Sequence, residues 1–246
     1  MNHLKKIKSK LLDLKRNLKL YFSKNCYVSI GENCLTDNIL SRHNIKSFST
    51  IYSNGRSNLD YVIGLEKNDY KDLLNPKYLH FDYVDKLKVV RNTFYSSADN
   101  IYHKLHLNGF EFTHHNIIEN KNAKESVERK IRRFQKLKNK KNFTFFYHYR
   151  LNENISIDEI KSKGENFISI YKKNNKKAQL IIFTQKIIKK YDARKVEKIT
   201  NKDSINIYIF HTMNAWQGND KDIFWARIDD DLIKEMLDDI KHSIKW

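Results

Sequence analysis

Tyr27-Val28-Ser29-Ile30-Gly31-Glu32-Asn33-Cys34-Leu35-Thr36-Asp37-Asn38 is the stretch whose reading decides the fold. An apolar β run halts at the glycine, a polar turn follows, and a helical pattern starts at or just after the cysteine. Gly31, Glu32 and Asn33 read as turn residues rather than core residues, so the turn lifts the Cys34 side chain clear of the interior at the carboxyl end of a strand. Open α/β sheets bind their ligands along that edge. A thiol at a helix N-terminus meets the positive end of the macrodipole and free backbone N–H groups, which favour thiolate and can hold an oxyanion. The plain alternative is Cys34 as a small buried hydrophobe.

On the amino side, Leu4, Ile7, Leu11, Leu14, Leu18 and Tyr21 recur at spacings of three and four within a lysine-rich surround. Residues 1–24 therefore read as a basic amphipathic helix, able to dock on the domain, on a partner or on an anionic membrane surface. They carry no apolar run of membrane-spanning length and no secretory signal, and the expectation is a cytoplasmic protein at or near the inner face of the membrane. Residues 25–246 read as a single α/β domain.

On the carboxyl side, a helix runs to about His43, and Phe48-Ser49-Thr50-Ile51-Tyr52 reads as a second strand. It ends in Ser53-Asn54-Gly55-Arg56-Ser57-Asn58, the most polar turn of the chain, with Asn58 placed to cap a helix from Leu59. Arg56 among small polar residues suits a ligand anion. Asp60 and Glu66, on that helix, read as solvent-facing or capping rather than as acid–base residues. Tyr70 to Leu74 reads as a short helix and Tyr78 to Val90 as a strand or hairpin. Phe110-Glu111-Phe112-Thr113-His114-His115-Asn116 alternates as a strand, aiming His114 inward with the phenylalanines and His115 outward. Beyond a helix over Asn122 to Leu137, strands at Asn142–Tyr149, Gln179–Thr184 and Ile205–Phe210 alternate with helices at Ser156–Lys173, Lys186–Lys190 and Leu232–Ile244. Nearly continuous apolar strands alternating with helices predict a mainly parallel sheet covered on both faces, a Rossmann-like or SGNH-like three-layer arrangement.

In one parallel sheet, Cys34 and the histidines would share an edge, so Cys34 is the candidate nucleophile, His115 the candidate base, and His114 and Asn116 its neighbours in the site. His148 and His211 also end strands; His211 is the rival base, followed by a loop in which Trp216 offers an aromatic wall. Glu32, Asn33, Gly55, Arg56, Ser57, Asn58 and Asp60, with His211 and Trp216 opposite, form the expected substrate-facing set. No HExxH, Walker A or GxGxxG pattern is present, so no metal or cofactor is expected. The 47 Lys and Arg against 29 Asp and Glu give a net charge of +18. That excess accompanies a chain-wide bias toward Lys, Asn and Ile, so specific nucleic-acid binding is not expected, whereas an acidic or phosphate-bearing partner fits. Cys26 and Cys34, on either side of one strand, form no disulfide framework.

The run Ser29 to Cys34 followed by Leu40 to Ser49 resembles the opening motif of a bacterial family of unknown function catalogued as papain-like cysteine peptidases. Phe112 to Asn116 is similar to its later phenylalanine–histidine–aspartate segment, and Glu128 to Phe134 to its arginine-rich helix. The likeness spans roughly residues 27–150 and implies a cysteine nucleophile. Two motifs depart: the family's proline–phenylalanine–aspartate–tryptophan is reduced here to Asp60-Tyr61, and Asn116 stands where aspartate is usual. The predicted parallel sheet is unlike papain itself and looks more like the SGNH hydrolases, a design that some envelope-polysaccharide acyltransferases share. Three functions follow: a cysteine-dependent hydrolase, a transferase of envelope or capsular polysaccharide assembly, or a binding protein without turnover.

Overall fold

The computed structural model describes residues 20–84, 86–138, 140–171, 177–202 and 204–243. The amphipathic helix expected over residues 1–24 falls mostly outside them. Where the chain enters view, Tyr21 and Phe22 are exposed. No described helix is long and apolar enough to cross a membrane.

The main sheet has five strands, β1 (Asn25–Ser29), β5 (Asn142–His148), β6 (Ala178–Ile187), β7 (Lys195–Lys202) and β8 (Ile205–Thr212), in the order β1-β5-β6-β8-β7. Four are parallel and β7 is an antiparallel edge strand. Its helices are α1 (Leu35–Arg42), α2 (Leu59–Lys67), α3 (Lys121–Lys138), α4 (Ile157–Tyr171), a short α5 (Lys221–Phe224) and α6 (Asp230–Ser243). Side chains alternate across the sheet, as strand geometry requires. Val28, Phe145 and Ile182 face a core shared with Leu65 of α2, Phe134 of α3 and Phe167 of α4. Phe146, Phe183 and Phe210 face the opposite way, into a second core with Leu35 of α1 and Ile233 of α6. Burial of each such side chain contributes about 1.5–3 kcal/mol, so both faces are closed as the apolar strand runs predicted.

A second, three-stranded antiparallel sheet is built from β2 (Leu79–Val84), β3 (Leu87–Asn92) and β4 (Phe110–Phe112). The hairpin over Tyr78 to Val90 is therefore present. The strand leading to His114 and His115, however, belongs to this sheet and not to the parallel one, so the shared edge expected for Cys34 and these histidines does not exist. All three residues of β4 are buried, and His114 is exposed in the turn after it rather than aimed inward.

Other expectations are corrected as well. The segment around Phe48 to Tyr52 is not a strand: residues 45–50 are irregular, and Ile51–Asn54 form a 3₁₀ turn in which the Thr50 N–H donates to Ser53 Oγ. Such local side-chain bonding competes with strand pairing. Lys186 to Lys190 is not helical, because β6 stays paired with β8 out to Ile187. Tyr70 to Leu74 is a series of turns. Glu66 is buried rather than solvent-facing, ion-paired to Lys138 at 3.0 Å and hydrogen-bonded by Tyr70. Asn58 caps α2 as read, accepting from Tyr61 N at 2.9 Å.

Candidate functional site

The turn after β1 is tied down by backbone bonds. Ile30 N donates to Phe146 O at 3.0 Å and His148 N to Gly31 O at 3.2 Å, carrying the β1–β5 ladder past the end of β1. Gly31 has φ +128°, a conformation that side chains disfavour, and the Gly31–Glu32 peptide is cis. Ser57 N donates to Glu32 O at 2.8 Å, and Asn33 Oδ1 accepts from Leu35 N at 3.0 Å. Gly31, Glu32 and Asn33 are all buried, so the turn tucks inward instead of standing clear of the core.

Cys34 is the N-cap residue of α1 and is partly exposed, while Cys26 is fully buried; both are free thiols. Burial pushes the Cys26 thiol up to about 11. At Cys34, burial also raises the pKa, against the pull of its own backbone N–H and of the Arg56 charge. Asp37 raises it further. The helix start therefore does not produce a resting thiolate: desolvation outweighs it, and a reaction at this sulfur needs a base.

Beneath the turn lies Glu32, wholly buried. Tyr147 OH donates to its Oε1 at 2.6 Å, Arg150 N donates to its Oε2 at 3.1 Å, and His106 Nε2 stands 3.7 Å from Oε2. Burial pushes this carboxyl up to about 8 despite those donors. His148 ends β5, one strand from β1, and its ring stacks on Phe183 with a centroid distance of 5.2 Å. Burial and the Arg150 charge hold it neutral, with a pKa lowered to about 3. His106 is likewise held neutral by burial and by Arg150. Neither ring has a hydrogen-bond partner at either nitrogen, and the same holds for Arg56 Nη1 and Arg150 Nε.

His115, the expected base, is engaged by other side chains. His115 Nε2 is 3.2 Å from Lys130 Nζ and 3.4 Å from Asn54 Nδ2, and Cys34 is not among its partners. Burial and the Lys130 charge lower its pKa to about 4. Asn116 bonds Glu119 through both its amide groups and touches neither histidine. Lys130 and Cys34 both feel the charge of Asp37, in the first turn of α1.

Of the remaining predicted residues, Gly55, Arg56 and Ser57 form the strap between the His115 and Glu32 corners. Arg56 and Glu111 exchange backbone bonds of 3.0 Å, and a Cβ at Gly55 would stand 2.5 Å from Glu111 O. Asn58 also donates to His106 O at 2.7 Å, which fixes the loop bearing that ring. Asp60 is committed to Lys163 at 2.7 Å. His211 pairs with Glu197 at 3.0 Å, and its strand is three inter-strand steps from β1, about 14 Å. Trp216 is buried, with Nε1 donating to Asp229 at 2.8 Å and its ring centroid 5.6 Å from that of His148. Sequence reasoning passed over His106, Tyr147, His148 and Arg150 as site residues. The signal for the last three was a polar pattern, Tyr147, His148 and Arg150, at the end of and just past the aromatic strand that pairs with β1. Among the described residues, no group of three or more His, Cys, Asp or Glu is arranged to hold a metal ion.

A family model described as "Putative papain-like cysteine peptidase (DUF1796)" matches residues 25–205, from β1 to the start of β8. No curated protein and no solved structure matches the chain.

Proposed function

The chain belongs to this papain-like cysteine peptidase family, and from that premise we propose that it is a cysteine-dependent hydrolase with Cys34 as nucleophile and His115 as general base. The observation that carries the reading is the contrast between its two thiols. Cys34 is partly exposed at the start of α1 with Arg56 favouring its thiolate, whereas Cys26 is sealed in the core.

His115 is neutral at pH 7, so it can accept a proton, but Lys130 holds its Nε2 lone pair. Base function therefore requires the ring to turn from Lys130 toward the sulfur. The proton then passes from Sγ to Nε2 as sulfur attacks a substrate carbonyl carbon. Free N–H groups in the first turn of α1 receive the oxyanion; that of Leu35 is already held by Asn33. Collapse expels the leaving group, which takes the proton from His115, and water hydrolyses the resulting thioester with the same imidazole as base.

Alkylation of the folded protein with iodoacetamide at pH 7, followed by peptide mapping, tests the assignment. Cys34 is expected to be modified at least tenfold faster than Cys26, and Cys34→Ser to abolish both this labelling and turnover of activated esters. Equal labelling of the two cysteines, or ester turnover that survives in Cys34→Ser, would sink it.

A further inference from the structure

We propose that Arg56, Arg150 and the buried face of His106 form an anion subsite beside Cys34, which takes a carboxylate or phosphate group of the substrate. It deepens the hydrolase reading, and rests on that reading only for calling the anion part of a substrate.

The argument begins with polar atoms that the protein does not satisfy. A buried donor or acceptor without a partner costs stability, more when charged, and calls for an explanation. Several of the unpartnered buried atoms among the described residues, those of His106, Arg56 and Arg150, belong to the surroundings of Glu32. The His106 side chain is fully buried with both nitrogens unpartnered, 3.7 Å from Glu32. Arg150 N bonds that same carboxylate, while its Nε has no partner and its Nη2 reaches only Gln217, at 3.5 Å. Arg56 Nη1 approaches Glu111 Oε2 at 3.5 Å without a hydrogen bond, and Glu111 is already held by Arg91 at 2.7 Å. His106 Nε2 and Arg150 N both meet the Glu32 carboxyl, and Ser57, the residue after Arg56, donates its N–H to Glu32 O at 2.8 Å, so the three residues gather around the Glu32 turn. Arg56 also acts on the Cys34 sulfur.

Charge points the same way. The two acids beside these arginines are wholly buried and engaged elsewhere: Glu111 is held by Arg91, and Glu32 accepts from Tyr147 and Arg150 N–H. Both arginines are partly exposed residues, while the unpartnered Arg56 Nη1 and Arg150 Nε atoms are buried beneath that surface. Planar guanidiniums pair with carboxylate or phosphate oxygens in bidentate fashion, which lysines on the outer surface do not. Neutral His106 supplies one further N–H.

The experiment uses full-length Cys34→Ser protein, so that binding does not depend on the nucleophile. Inorganic phosphate and acetate are titrated calorimetrically at constant ionic strength, with chloride as the balancing anion. Saturable one-to-one binding of at least one is expected, with the preferred anion identifying the group. Arg150→Gln and Arg56→Gln should each weaken it tenfold or more, Arg150→Lys should weaken it less, and Lys136→Gln on the exposed face of α3 should leave it unchanged. Because Arg150 bonds Glu32 through its backbone, its substitution leaves that contact intact. Absence of saturable binding, or equal weakening by Lys136→Gln, overturns the subsite. In the protein that retains Cys34, the rate ratio of iodoacetate to iodoacetamide at that thiol should fall at least threefold in Arg56→Gln. An unchanged ratio would separate the subsite from the thiol and overturn its role in substrate binding, while continued iodoacetamide labelling would leave the hydrolase reading standing.

Discussion

Two polar corners, one around His115 and one around Glu32, differ in how their hydrogen bonds close. At the His115 corner the ring touches Lys130 and Asn54, and Asn116 and Glu119 satisfy one another. At the Glu32 corner the carboxylate is satisfied, but His106, His148, Arg56 and Arg150 keep buried atoms without partners. A network that closes on itself contributes to folding. One left partly open costs stability and is retained where a ligand or a reaction completes it. The corner that the histidine pair marked in the sequence is thus the closed one, and the open one is assembled from residues far apart in the chain.

The largest test of this contrast is the pH dependence of unfolding. The pKa of His148 is about 3 in the folded protein, below its ordinary value, so its contribution is complete above pH 6.5 and is lost as pH falls toward 3. For a fully buried ring that is on the order of several kcal/mol. The half-buried His103 and His115, both lowered to about 4 mainly by burial, act in the same direction but less strongly. Denaturant unfolding at pH 3.5 and 7 should show His148→Gln flattening the acid slope more than His115→Gln does; the reverse order would invert the comparison.

Gly55 tests the strap that joins the corners. A Cβ there would stand 2.5 Å from Glu111 O, so Gly55→Ala must push the Arg56–Glu111 pairing apart. A loss of about 1–3 kcal/mol is expected, as for other overpacked sites, with weakened anion binding measured on the folded fraction.

Glu32 gives a smaller effect of opposite sign. Its carboxyl is raised to about 8, so its contribution is full below pH 4.5 and is lost as pH rises toward 8. Stability should therefore peak near pH 6.5 and decline by roughly 1–2 kcal/mol by pH 8. In Glu32→Gln that alkaline decline should vanish, and its persistence would assign it to another group.

The smallest effect opens the closed corner. Lys130→Ala frees His115 Nε2 and lets the ring's pKa rise from about 4 toward 6.5. If His115 is the base, Cys34 alkylation at pH 7.5 should quicken severalfold, with its acid limb displaced upward. No change in the pH profile would show that the corner is purely structural.

The legible parts of this molecule were those decided over a few residues. The halt of the β run at Gly31, the helix begun by Cys34 and the Asn58 cap are local, and each stands where the sequence placed it. Nearly continuous apolar strands alternating with helices also foretold a mostly parallel sheet buried on both faces. Where apolar residues were buried outside a ladder, the same signal misled: Phe48 and Tyr52 are core residues on irregular and 3₁₀ backbone.

By itself, then, the sequence determined the central strands, most of the helices and the fold class, because propensity, turn chemistry and hydrophobic period act between near neighbours. The tertiary structure alone decided which strands share a sheet. It sent β4 and its histidines to a separate antiparallel sheet and laid β5 beside β1, although their paired residues Ser29 and Phe146 lie far apart in the chain. That choice set the site, putting His148 and Arg150 next to the Glu32 turn and leaving His211 on a distant strand. Strand pairing is a competition among non-local partners, won by the arrangement that buries the most apolar surface while satisfying backbone donors, and no local pattern records its outcome.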